Sequence, residues 1–275
     1  MRNVRLVLVC FSVTSLFIMA CEKKESMEVD NETQSVVDYA LVDQEIMAVF
    51  PAVFQHMART PGAGAEAKAG FVCDPFSYVS GDTVSFKPNP VFSLDLSKTS
   101  CSLPDGKTRS GKITVRLSGK FKLTGTSSVI KFENYSAAGL LYSCDSMVVL
   151  NKGSNTSFYS FGVKLLNGTC TGPSFKISYA CDKTMAVYAV GDASATGPLA
   201  SNYGSVQGTN RQGLPFLVNI TTDIVKHNNC SYFEQGKMTI HPQGFKDRLV
   251  DFGNGTCDDQ ATFAVNENTV AFKLK

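Results

Sequence analysis

Hydrophobic and polar positions change their period once along this chain, near residue 60. Between residues 35 and 60, apolar side chains recur three or four apart, at Val36/Val37, Ala40/Leu41, Ile46/Met47, Phe50, Val53/Phe54 and Met57. That spacing lays a broad apolar stripe along one side of an amphipathic helix. Ser35 with Asp38 fits a capping box at its start. Pro51 has no amide donor and predicts a kink near Phe50.

Beyond the breaker-rich stretch Pro61 to Gly70, short apolar–polar alternations take over. Lys112-Ile113-Thr114-Val115-Arg116-Leu117, Val129-Ile130-Lys131-Phe132, Phe175-Lys176-Ile177-Ser178-Tyr179 and Phe216-Leu217-Val218-Asn219-Ile220 are typical. Gly, Asn, Asp, Ser and Pro separate them, which is the texture of half-buried strands with frequent turns. Asn167-Gly168 suits a two-residue hairpin turn, whose central positions both need positive φ. The expected fold is mainly β, an antiparallel sandwich or meander body with one N-terminal amphipathic helix.

An internal echo bears on domain organisation. Gly111-Lys-Ile-Thr-Val-x-x-x-Gly119 recurs as Gly236-Lys-Met-Thr-Ile-x-x-x-Gly244, and Ile130-Lys-Phe-Glu-Asn134 as Val250-Asp-Phe-Gly-Asn254. A cysteine precedes each copy, Cys101 and Cys230. The echo suggests two related β units. The segments expected are a leader over 1–20, a tether over 21–34, the kinked helix over 35–60, and β units over 61–155 and 156–275.

The leader decides where the rest works. Arg2 and Arg5 precede an apolar run from Leu6 to Ala20, and a small residue then precedes Cys21. A basic head, a short apolar run and a small-residue cut site make an export signal. The run is shorter than the roughly 20 residues that span a bilayer comfortably. With a cysteine at the cut it resembles a bacterial lipoprotein signal, which implies that Cys21 becomes a lipidated N-terminus. Glu22 to Gln34, polar and free of aromatics, reads as the tether.

Charge and cysteines narrow the classes further. The chain has 26 basic and 24 acidic side chains, and Arg2 and Arg5 leave with the leader, so 24 of each remain. A charge near zero gives no electrostatic case for nucleic acid. Of the nine cysteines, Cys10 lies in the leader and Cys21 at the cut. Cys73, Cys101, Cys144, Cys170, Cys181, Cys230 and Cys257 remain, an odd number. An exported chain permits disulfides. The expected bridges are Cys73–Cys101 and Cys230–Cys257, each contributing about 3–4 kcal/mol on the chain-entropy account. Cys170–Cys181 stapling a hairpin would leave Cys144 over. No C-x-x-C spacing points to zinc, so no metal is expected.

Candidate chemistry is thin. Gly106-Lys-Thr-Arg-Ser-Gly111-Lys112 misses the phosphate-binding loop, because Ile113 stands where Ser or Thr should hold magnesium and strand alternation follows. Ser128-Val-Ile-Lys131 matches a serine–lysine nucleophile pattern. On a strand, however, residues three apart face opposite sides. A triad would need His56, His227 or His241 as base, and no G-x-S-x-G accompanies them. Asp251 to Asp259 is rich in oxygen ligands but lacks calcium-loop spacing, and turn chemistry explains it. Flat sugar platforms use aromatic faces, yet the chain has no tryptophan. No catalytic residue and no cofactor is assigned.

Four stretches stand out: Asp105-Gly106-Lys-Thr-Arg109-Ser-Gly111-Lys112-Ile-Thr-Val, Phe132-Glu-Asn-Tyr135, Gly208-Thr-Asn-Arg-Gln-Gly213 and Asp251-Phe-Gly-Asn-Gly-Thr-Cys257-Asp258. Together they resemble a family of Bacteroidetes envelope lipoproteins of uncharacterised function. The resemblance implies an all-β lipoprotein and carries no active site across. The expected function is that of an outer-membrane, lipid-anchored protein, on the periplasmic face or the cell surface. It would bind a protein or glycan partner of the envelope and not be an enzyme. The alternative is a hydrolase or glycan-processing enzyme with a convergent site.

Overall fold

The computed structural model describes residues 30–57, 76–97, 105–154, 158–189 and 196–275. It contains one helix and fourteen strands among these residues. Helix α1 spans Gln34–Met57. The strands are β1 (Phe76–Ser80), β2 (Val91–Asp95), β3 (Arg109–Leu117), β4 (Ser127–Ala137), β5 (Leu140–Ser143), β6 (Ser146–Ser154) and β7 (Phe158–Thr171). There follow β8 (Lys176–Ala189), β9 (Thr196–Thr209), β10 (Pro215–Lys226), β11 (Gln235–Pro242), β12 (Arg248–Asn254), β13 (Gln260–Val265) and β14 (Asn268–Lys273). The described residues are thus mainly antiparallel β with a single helix, the first element among them.

All fourteen strands join one sheet, and almost every strand pairs with its sequence neighbours. This is the meander and not two stacked sheets. The one departure lies at β4, whose N-terminal half pairs with β6 and whose end pairs with β5. Both β5 and β6 then pair with β7, so they lie end to end between β4 and β7. Residues 31–275 form one compact unit. The boundary expected between 155 and 156 therefore runs through a hydrogen-bonded pair, β6 with β7, from Ser146↔Leu166 to Ser154↔Tyr159.

The sheet curls around α1. Glu45 of the helix bonds Arg109 on β3, while Arg248 on β12 bonds the carbonyl of Glu32 just before the helix. Eight strand spacings of about 4.8 Å separate β3 from β12 in a flat sheet. Glu32 and Glu45 stand only about 20 Å apart at helical rise, so they reach both strands because the sheet curves around the helix.

That enclosure corrects the amphipathic reading of the helix. Every residue from Asp38 to Phe50 is buried, polar positions included. The positions that periodicity assigned to water instead face cations on the inner face of the sheet. The start differs as well: Glu32 Oε1 accepts the Ser35 amide at 2.7 Å, and Asp38 faces Arg211. Ser35 therefore does not cap with Asp38. The helix runs through Pro51 without interruption in its bounds.

The C-terminal half of α1 supplies the apolar core. Phe50 packs edge-on to Phe161 at 5.0 Å between centroids, and Phe54 meets Phe121 at 5.4 Å. Inward positions of the strands alternate with exposed ones, as in Ile113, Val115 and Leu117 of β3. Burial of such side chains contributes about 1.5–3 kcal/mol each.

One turn reading changes. Asn167 has φ 50°, as a turn residue would, but it lies inside β7, at the irregularity between Leu165 and Gly168. β7 continues because β5 and β8 pair with its far end. Two-residue hairpin turns with positive φ occur instead at Ala138-Gly139 and Asn266-Glu267.

The internal echo has a structural cause. Gly111 and Gly236 hold φ of +88° and +116° at bulges that start β3 and β11. A Cβ there would strike the carbonyl of Asn134 or Asp223. The second fragments do not superpose in register: Ile113 faces Phe132, whereas Met238 faces Val250. The shared pattern therefore reflects the same bulge requirement, with partner strands set two residues apart.

Candidate functional site

The interior is a ladder of buried ion pairs between the helix and the sheet. Arg109 is buried and reaches Glu45 with Nε at 2.8 Å and Nη2 at 2.9 Å, and both oxygens of Asp105 at 2.7 Å. Tyr135 donates its hydroxyl to Glu45. Two residues earlier and on the opposite side of the helix, Asp43 accepts Lys183 and Tyr179, and Tyr39 at 3.0 Å. Asp38 accepts the amide of Arg211 at 2.7 Å and its Nε at 2.8 Å. The Arg211 guanidinium stacks over Phe175, 4.0 Å from its centroid.

These groups set one another's protonation. Burial alone would lower the Arg109 guanidinium, but Asp105 and Glu45 outweigh it and hold the charge firmly in place. Burial likewise pushes Asp105 up, and the hydrogen bonds and charge of Arg109 bring it below the usual carboxylate range. Burial pushes the Lys226 ammonium down to about 8, opposed by the charge of Asp105. These partners are all protein groups.

An open groove of about 580 Å³ runs over the outer face of β8, β9, β10 and β11. One cross-strand row forms its floor: Ala180 pairs with Gln207, Gln207 with Leu217, and Leu217 with His241. A second row, Ser178, Thr209 and Pro215, lies alongside. On the floor Ala180 adds only one carbon, while Gly168 and Gly208 belong to the inward row with Tyr179 and Phe216. At Gly208 a Cβ would meet the Phe216 ring. The two rings of the lining, Tyr179 and Phe216, are buried. Leu217 is 54% exposed on the floor, and a neighbouring pocket of about 320 Å³ shares Ala180, Gln207 and Leu217 and is lined also by Leu166 and Asp182.

His241 ends the floor row. Its Nδ1 lies 2.7 Å from Asp247 and its Nε2 3.1 Å from the side-chain amide of Asn219. Both ring nitrogens are thus engaged, one by a carboxylate and one by an amide. Sequence reasoning named His241 only as a triad base. Its place at the end of a groove depended on strand register.

The other sequence candidates separate as follows. Cys230 and Cys257 form a disulfide. Cys170 and Cys181 do not pair, which corrects the expected staple: across β7 and β8, Cys170 faces Ile177 and Cys181 faces Leu165. Cys144 is a thiol as well. Cys21, Cys73 and Cys101 lie outside the described residues. Ser128 points into the core, and Lys131 is exposed on the other face of β4, as the strand argument required. Gly106 to Lys112 is the bulged start of β3, with Arg109 committed to Glu45. In the 251–259 stretch, Asp251 pairs with Lys237 at 2.9 Å and Asp259 with Lys273 at 2.8 Å. Its Asp258 accepts the Gln260 amide, so turn chemistry uses these oxygens. His227 holds Glu234 through Nδ1 at 2.9 Å.

No helix among the described residues is long and apolar enough to cross a membrane. No protein-family model, curated relative or solved structure matches the chain.

Proposed function

We propose that this chain is a lipid-anchored protein of the bacterial outer membrane that holds an extended polypeptide of an envelope partner in the groove over β8 to β11. The groove itself carries the reading. It is open, floored by Ala180, Gln207 and Leu217, and the side chains of Gln207 and Thr209 can meet a peptide backbone. Open apolar grooves with a few polar groups are the usual places for such recognition. A sugar ring would want an exposed aromatic face, and the rings here are turned inward, so a peptide is favoured over a glycan. The export signal and Cys21 support the location.

A hydrolase is the second reading, favoured by the His241–Asp247 pair. It would require a nucleophile to reach Nε2, which Asn219 occupies.

The test places a photo-crosslinking amino acid at Leu217 in intact cells. A discrete protein adduct that disappears in a Gln207→Arg background is expected, with no adduct from the same probe at Arg116 on the outer face of β3. Equal labelling from both positions would overturn the groove. Cys21→Ser should move the protein from the membrane fraction to the soluble one, and continued sedimentation with membranes would overturn the anchor.

A further inference from the structure

Cys230, Glu234 and Cys257 bring two sulfurs and a carboxylate oxygen within 4.8 Å of one another. Three separate pieces of chain deliver them. Cys230 ends the turn after β10, where its amide donates to the His227 carbonyl at 3.2 Å and Lys226 Nζ donates to its own carbonyl. Glu234 lies just before β11, is 5% exposed, and accepts the amide and ring Nδ1 of His227. Cys257 lies on the exposed loop after β12, and the preceding Gly255 donates to the Glu234 carbonyl at 2.8 Å. The buried carboxylate is therefore fixed beside both cysteines from either side.

We propose that reduction of the Cys230–Cys257 disulfide converts this corner into a zinc site with Cys230, Cys257 and Glu234 as ligands. A dithiol reductant supplies two electrons and two protons. The S–S bond breaks to two thiols, and the reductant becomes a disulfide. Zinc then displaces both thiol protons and binds two thiolates and the carboxylate. Zinc takes sulfur at about 2.3 Å and carboxylate oxygen at about 2.0–2.2 Å in tetrahedral geometry, which sets the two sulfurs about 3.8 Å apart. A Cα separation of 5.8 Å accommodates that spacing, with Cys257 moving on its exposed loop. The fourth position falls to water or to the His227 ring, which already leans on Glu234. The nearby Lys226 ammonium favours the thiolates. In this corner a redox change becomes a change of ligand: oxidised, a covalent staple; reduced, a metal clasp at the same end of the β11–β12 hairpin.

The experiment uses the full chain with Cys21→Ser, reduced with dithiothreitol, freed of it anaerobically, and titrated with Co²⁺ as the spectroscopic stand-in for zinc. One equivalent should give intense thiolate-to-cobalt charge transfer and tetrahedral ligand-field bands, reversed by zinc. The oxidised chain should give neither. Cys257→Ser should abolish the band, Glu234→Gln should weaken binding by at least about tenfold, and Cys144→Ser should leave it unchanged. A reduced chain without the band overturns the proposal, as do Cys257→Ser and Glu234→Gln variants that bind like the parent. If reduction costs the near-ultraviolet circular dichroism, zinc should restore it in the parent and not in Glu234→Gln. Failure to restore it also overturns the proposal.

Discussion

Glu45, midway along α1, and Arg109, the first residue of β3, form a two-bond ion pair at 2.8 and 2.9 Å across 64 positions of sequence. Neither is exposed to solvent beyond 2% of its side chain. A buried pair of this kind is not itself a large net source of stability, since desolvation offsets attraction. Its force lies in asymmetry: without Arg109 the buried carboxylates of Glu45 and Asp105 both lose their cation, whereas without Glu45 the guanidinium keeps Asp105. Arg109→Met should therefore destabilise by about 3–5 kcal/mol. Glu45→Gln combined with Arg109→Met should cost less than the sum of the two, by a coupling of about 1–3 kcal/mol. Urea titration of the four proteins measures this, and additive costs would show that the two residues do not act as a pair.

The same asymmetry makes the helix a structural component and not an appendage. Asp38, Asp43 and Glu45 face Arg211, Lys183 and Arg109 from inside the sheet. A chain beginning after Met57 would leave these cations around an empty centre and expose the partners of Phe50 and Phe54. Such a chain should show no cooperative thermal transition. A sharp melt comparable to that of the full chain would show that the sheet holds its curvature alone.

Lys226 predicts a pH dependence of opposite sign to the familiar loss of stability in base. Its ammonium is held down to about 8 in the folded state, against 10.5 as its ordinary value. The folded state thus binds fewer protons than the unfolded state between those values, and stability from this group rises with pH across that window. Below pH 8 the burial penalty is present in full. Lys226→Met should accordingly stabilise the protein at pH 7, by up to roughly 3 kcal/mol, and the advantage should shrink between pH 8 and 10.5. Denaturation midpoints at pH 7, 8.5 and 10 decide it; a constant difference would contradict the assignment.

Glycines separate by what lies beside them. Gly111 and Gly236 combine positive φ with a backbone carbonyl where Cβ would stand, whereas Gly125 has φ +82° and open space. Gly125→Ala should cost about 1–2 kcal/mol from conformation alone. Gly111→Ala and Gly236→Ala should each cost at least about 3 kcal/mol, since the strand pair must also part. Thermal melts of the three variants provide the comparison.

The unpaired thiols should be slow to react. Burial pushes Cys144 and Cys170 up to about 11, and Cys181 upward as well. Little thiolate exists at pH 8, and Cys170 and Cys181 are enclosed. Alkylation at pH 8 followed by mass mapping should leave both unmodified in native protein and modified in urea. Rapid native labelling at Cys170 would show that the inner face of β7 is open to water.

Parts of this architecture were legible beforehand because they depend on local chemistry. Alternation in Ile113, Val115 and Leu117 marks a strand wherever that strand ends up, since successive side chains point to opposite faces. The same rule separated Ser128 from Lys131 without coordinates. Cys230 and Cys257 were paired correctly, while Cys170 and Cys181 were not, because their pairing depends on the register of β7 against β8. Asn167-Gly168 carried a genuine positive-φ signal but not its use, since a bulge and a hairpin turn ask the same of the backbone.

What the sequence determined by itself is the class of element along the chain, one helix and then strands, because propensity and periodicity act over a few residues. Tertiary structure alone decided that the helix lies inside the sheet. A stripe of apolar residues ordinarily implies a polar side facing water. Here Asp43 and Glu45 face Lys183 and Arg109 instead, contributed from 140 and 64 positions away. No local pattern can distinguish an acid bound for solvent from one bound for a buried cation. The outer groove was beyond local pattern for a related reason: only the register between strands sets Ala180, Gln207, Leu217 and His241 side by side on the outside.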